Sequence, residues 1–126
     1  MARTILLASP SSAAAAARLA AAADETIDAV VTTPSAGARA AARAAAGGHW
    51  AFTIDEPLLA RCAPGESGGD VLSRVAQALR GVYALDAHVV LVVCDGLDVL
   101  GAGLFVLDEG GVLAAADALE RLVPLP

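Results

Sequence analysis

Apolar runs separated by short polar, cap-forming stretches recur along this chain, and they are of two kinds. One kind is short and rich in large aliphatics. Val89 to Cys94 is the clearest case: six consecutive apolar residues after His88, closed by Asp95-Gly96. A continuous apolar run ended by a turn predicts a strand buried on both faces, as in a parallel sheet under helices. Thr4–Ala8, Ile27–Val31, Trp50–Ile54 and Leu104–Leu107 predict four more strands. Alternation puts Trp50, Phe52 and Ile54 on one face of the third, and the last is expected at a sheet edge.

The other kind is long and has helical signals. Ser9-Pro10-Ser11-Ser12 precedes an Ala-rich segment that runs to Ala23 and stops at Asp24-Glu25. Ala is the best helix former, and Ser at the cap with Pro in the first turn is a start signal. Thr32-Thr33-Pro34-Ser35 repeats the device ahead of Ala36–Ala46, which Gly47-Gly48 ends. Shared capping chemistry in an Ala-rich chain explains this likeness better than duplication. Asp55-Glu56-Pro57 ends the third strand, and Leu58–Gly69 reads as a loop around Pro64-Gly65. Ser67 or Asp70 then caps a helix to about Arg80, with Val71, Val75, Leu79 and Val82 as its buried stripe. Leu97–Gly103 predicts a short apolar helix or turn, and Asp108-Glu109-Gly110-Gly111 a turn. A last amphipathic helix, Val112–Leu122, is expected to bury Leu113, Ala116, Leu119 and Leu122, with Pro124 and Pro126 beyond it. Strands alternating with helices at this spacing call for a three-layer α/β/α sandwich with a mostly parallel sheet.

Composition narrows the classes. The 126 residues suit one domain. They are 57% hydrophobic, but much of that is Ala, so the large side chains of the core sit in the few strand-like runs. A formal charge of −6 argues against nucleic acid, which demands a basic face. All eight basic side chains are Arg. Cys62 and Cys94 are too few for a disulfide framework and read as reduced thiols. Ile5-Leu6-Leu7 is too short for a signal core before Ser9-Pro10 breaks it, and no run spans a membrane, so the expected location is cytoplasmic.

The ordered set of features resembles the histidine phosphatase (phosphoglycerate mutase-like) superfamily, in its small single-domain form. Arg3-Thr4-Ile5-Leu6-Leu7 looks like the family's first strand, and Asp28-Ala-Val-Val-Thr-Thr-Pro-Ser35 like its second. Ile54–Leu59 is similar to the segment before the acid/base loop. Pro64-Gly65-Glu66-Ser67, with Asp70-Val71 and Arg74-Val75 behind it, resembles a Gly-Glu-Ser helix start. Val89–Gly96 looks like the strand carrying the second catalytic histidine. The resemblance covers nearly the whole chain and implies a single phosphoglycerate mutase-like domain, residues 1–126.

It also implies a lost apparatus. Where the family has its Arg-His-Gly triplet, this chain has Ala8, Ser9 and Pro10; the second arginine falls on Gly37 and the second histidine on Asp95. The acid/base glutamate falls near Ala60 or Arg61, in a shortened loop. A phosphohistidine intermediate needs an imidazole held by cations, and His49 and His88 stand at the wrong ends. Arg39 and Arg43 read as a solvated helix face. The candidate pocket is therefore Ser9, Thr33, Glu66 and Asp95, at the carboxyl ends of strands where open α/β sheets bind ligands. These residues support no metal site, since two carboxylates are too few, and no cofactor is implied. Their plainer reading is preferred: Ser9 and Thr33 as helix caps, Asp95 capping the helix after its strand, Glu66 satisfying loop amides. Cys94 reads as packing.

The expected function is that of a phosphatase-like protein acting without catalysis, by binding a protein partner or a small anionic ligand. The alternatives are an enzyme with chemistry reassigned to Asp95 with Ser9 and Thr33, or a subunit whose site a partner completes.

Overall fold

The computed structural model describes residues 4–46, 52–61, 63–85, 87–96 and 104–121. They form an α/β fold of five strands and four helices, with two single turns of 3-10 helix. The strands are β1 (Thr4–Ala8), β2 (Ala29–Thr32), β3 (Phe52–Asp55), β4 (Val89–Val93) and β5 (Leu104–Asp108). Their order is β3-β2-β4-β1-β5, so the all-apolar β4 is central. β4 lies parallel to both neighbours, with Val90 beside Ile5 of β1 and Ala29 of β2. All five of its residues are buried, as a strand with covered faces requires. β5 is antiparallel to β1 and forms an edge, as its sequence predicts.

Successive strand residues point to opposite faces, and alternate residues accordingly divide between two core clusters. Ile5, Leu7, Val31, Val90 and Val92 pack with Val71, Val75, Leu79 and Val82 of α3 (Gly68–Tyr83). Leu6, Ala8, Val30, Leu91 and Val93 pack with small side chains: Ala13, Ala16 and Ala20 of α1 (Ala13–Ala22), and Ala38, Ala42 and Ala46 of α2 (Ala36–Ala46). The predicted α3 stripe is buried throughout. Ser67 is its cap: the Ser67 hydroxyl accepts from the Asp70 amide at 3.1 Å, while Asp70 Oδ2 accepts from the Ser67 amide at 3.1 Å. This reciprocal pair satisfies two otherwise orphaned donors.

Three helix expectations are revised. Ser9 starts a 3-10 turn, Pro10–Ser12, and its side chain caps no amide; the α-helix begins only at Ala13. The cap of α2 is Ser35, whose Oγ accepts from the Ala38 amide at 3.2 Å, and Thr33 is not a cap. The last helix, α4 (Glu109–Arg121), follows β5 with no intervening turn. Of the expected buried stripe, Ala116 is fully buried, whereas Leu113 is 37% exposed. Trp50, Leu97–Gly103 and Leu122 lie outside the described residues. Among the described residues no helix is long and apolar enough to cross a membrane.

Candidate functional site

Four parallel strands end on the same side of the sheet, and β2, β4 and β1 are neighbours there. Their chains stay paired past the strand ends. The Thr33 amide donates to the Val93 carbonyl at 3.0 Å, and the Cys94 amide donates to the Ala8 carbonyl at 2.8 Å. Backbone pairing thus brings Ser9, Thr33 and Asp95 to one mouth. All three are buried, at 6%, 3% and 6% exposure, and with Thr32 they are the buried polar side chains among the described residues.

Thr33 is the tie. Its Oγ1 donates to the Leu59 carbonyl at 3.0 Å and accepts from the Asp95 amide at 3.1 Å. Both capacities of the hydroxyl are used in joining β2 and β4 to the segment after β3. Asp95 has its carboxylate on α2: the Ser35 hydroxyl donates to Asp95 Oδ2 at 2.8 Å. The expectation that Asp95 caps a helix after β4 falls on residues outside those described; its observed partner is the cap of α2. Ser9 Oγ lies 3.1 Å from Ser11 Oγ and donates to Ser12 Oγ at 3.3 Å. Among the described residues no imidazole or carboxylate hydrogen-bonds to Ser9. A serine hydroxyl without a base is a poor nucleophile.

Glu66 is held apart from these three. Its Oε2 accepts from Arg74 Nε at 2.6 Å and its Oε1 from Arg74 Nη2 at 2.7 Å, a two-point pairing that matches the planar shapes of both groups. Glu66 Oε1 also accepts from the Ala63 amide at 3.1 Å, which is the loop-amide role expected of it. Arg74 hydrogen bonds, followed by the Ala63 amide, hold the Glu66 carboxyl down at about 2, against 4.5 for an unperturbed group. The same guanidinium donates to the carbonyls of Leu58 at 2.8 Å and Ala60 at 3.0 Å. Those carbonyls flank Leu59, which is fully buried and accepts from both Thr33 and the Cys94 thiol. Arg74 therefore fixes the floor of the mouth from a distance.

Arg74, Ser35 and the Leu59 carbonyl complete the arrangement, and sequence reasoning placed none of them in it. Arg74 and Ser35 stood in quoted motifs, but only as helix-start residues. A backbone carbonyl leaves no signal in sequence at all. Gly96 does have a legible role. A Cβ there would come within 3.0–3.1 Å of Val75, Val71 and the Ala60 carbonyl, so a larger residue would press these neighbours back from the chain's close approach to α3.

Arg39 on α2 donates to Asp55 Oδ2, at the end of β3, at 2.6 Å. Arg43 is exposed on the same helix. His88 precedes β4, at the opposite end of the strand from Asp95. Cys94 is buried and free of any disulfide, in keeping with a packing role. Two clefts, of about 420 and 580 Å³, lie at the amino ends of the strands, away from the mouth. The larger is lined by Thr4, Asp24, Glu25, Thr26, Asp28, His88 and Val89. Among the described residues no three His, Cys, Asp or Glu side chains gather as metal ligands would. Compared with protein-family models, with curated proteins and with solved structures, the chain gives no match.

Proposed function

We propose that this chain is a degenerate histidine phosphatase-like domain, a three-layer α/β/α sandwich of phosphoglycerate mutase-like fold, that acts by binding rather than by turnover. The fold reading is supported by the ordered sequence features, and by two core clusters that share the sheet between α1 with α2 and α3. The functional reading rests on one observation. At the mouth Thr33 is committed to Leu59 and Asp95, and Asp95 Oδ2 takes the Ser35 hydroxyl, while Glu66, held apart, is paired with Arg74. A general base must lie within hydrogen-bond reach of the proton it takes, and among the described residues no imidazole or carboxylate does so at Ser9. Ser9, the one hydroxyl that stands in the nucleophile's place, has only serine hydroxyls around it.

The test is turnover of a broad panel of phosphomonoesters by purified wild type beside Asp95→Ala and Ser9→Ala. No turnover by any of the three, with folding intact by circular dichroism, is the expected result. Wild-type turnover that disappears with Asp95→Ala would replace this reading with an enzyme centred on that aspartate.

A further inference from the structure

β5 ends the sheet, and its sequence Leu-Phe-Val-Leu-Asp lacks the usual guards of a free edge. It has no proline, no basic side chain and no bulge in its register with β1. β3, at the other edge, runs into Asp55, Glu56 and Pro57. The direction of the free backbone groups of β5 follows from β1. The Thr4 amide donates to the His88 carbonyl and the Ala8 carbonyl accepts from the Cys94 amide, so Thr4, Leu6 and Ala8 turn their main chain to β4. Strand residues alternate in this respect, which leaves Ile5 and Leu7 to face β5. Their register partners are Leu107 and Phe105. Leu104 and Val106 therefore point their amides and carbonyls outward. The Val106 side chain is apolar and open as well. It lies opposite Leu6 on the face that α1 and α2 cover, but that layer buries Leu6 to 2% exposure and leaves Val106 56% exposed. Asp108, the one charge of the strand, accepts at Oδ1 from the Gly111 amide of its own α4 at 2.6 Å, which draws it back from the edge.

We propose that β5 pairs antiparallel with β5 of a second copy of this chain, about a two-fold axis at Val106, so that the two five-stranded sheets become one. Each Val106 exchanges its outward hydrogen bonds with the Val106 of the other copy, and the two exposed side chains cover each other. This register pairs the strand over its whole length, whereas any other leaves residues of it unmatched. It also sets Asp108 opposite Leu104 of the copy, so no like charges meet across the new ladder. The assembly closes at two chains, because it consumes both β5 edges and leaves outside only the β3 edges with their acidic ends. This goes beyond the binding reading above and stands independently of it.

A residue on a two-fold axis faces its own copy, and the experiment uses that. Sedimentation equilibrium of the intact chain compares wild type, Val106→Lys, Val106→Glu and an equimolar mixture of the two variants, from about micromolar to about millimolar concentration. Wild type is expected to reach twice the mass of a single chain. Each variant alone opposes like charges, and is expected to self-associate roughly tenfold or more weakly. The mixture opposes Lys to Glu and is expected to recover the dimer. Wild type that stays monomeric throughout would overturn the proposal, as would assembly beyond two chains. A dimer kept by both folded variants, or folded variants that stay monomeric when mixed, would overturn it too. Should either variant fail to fold, hydrogen exchange of wild type decides. Protection of the Val106 amide is expected to rise with protein concentration, and protection independent of concentration would exclude the pairing.

Discussion

Thr33 shows how much one hydroxyl decides at the scale of a residue. Its type and its place before Pro34 suggest a helix cap, yet Ser35 takes that position and frees Thr33 to join three segments. Thr33→Val keeps the shape and removes the hydroxyl, leaving the Asp95 amide without its side-chain partner and the Leu59 carbonyl with the Cys94 thiol alone. Unsatisfied buried groups cost about 1–3 kcal/mol each, more than the hydrogen bonds contribute on average. Thr33→Val is therefore expected to lower unfolding free energy by roughly 2–4 kcal/mol, and Thr33→Ser by clearly less, in urea denaturation. Equal losses would show that the methyl group, and not the hydroxyl, carries the effect. The choice between Thr33 and Ser35 was not legible in sequence, because two hydroxyl residues flanking one proline both satisfy the capping pattern.

For whole elements, the existence of each was easier to read than its rotation. α3 has a long stripe of Val and Leu at helical spacing, and those residues are the buried ones. α4 offers a weaker pattern of Ala, Gly and a few Leu, and here the expected face holds at Ala116 but not at Leu113. Ala116 is fully buried and Ala115 packs against the core, but Leu113 is 37% exposed. The helix starts directly from β5, and it packs on α3 with Arg80 donating to Asp117 Oδ1 at 2.8 Å. A junction without a turn, together with α3, sets the rotation, and neither acts through the residues of α4 alone. Two substitutions test this in chemical denaturation. Leu113→Ser is expected to change stability by less than about 1 kcal/mol, as surface sites do. Ala116→Leu, which forces a large side chain into filled space, is expected to cost about 1–3 kcal/mol. The opposite ranking would restore the stripe with Leu113 inside.

Across the whole molecule, Arg74 ties the segment from Glu56 to Glu66 to α3, and one of its contacts, the pairing with Glu66, titrates. The Glu66 carboxyl is near 2 in the folded protein and would return to about 4.5 when released. A group whose folded value is depressed contributes stability that is complete above its unfolded value and disappears as pH falls through the folded one. The Glu66 contribution is thus whole above about pH 4.5 and lost toward pH 2. Glu66→Gln is expected to be less stable than wild type at pH 7, with the difference shrinking as pH drops from 4.5 toward 2. Thermal melts at pH 7, 4 and 2.5 measure it. A difference that stays constant across those values would show that the charge on Glu66 contributes nothing.

The sequence by itself determined the alternation of strands and helices, the central burial of Val89–Val93, the edge placement of Leu104–Leu107 and a helix start capped by Ser67 or Asp70. Each follows from local chemistry: hydrophobic period, β-branched runs, and hydroxyl or carboxylate side chains at helix starts. Tertiary structure alone decided what the mouth is made of. Thr33, Ser35, Leu59 and Asp95 meet because β2 and β4 are neighbours and the segment after β3 folds beneath them, and Arg74 reaches carbonyls 14 and 16 residues before it. Contacts between residues this far apart depend on strand order and on backbone carbonyls, and neither is written in the side chains that a sequence displays.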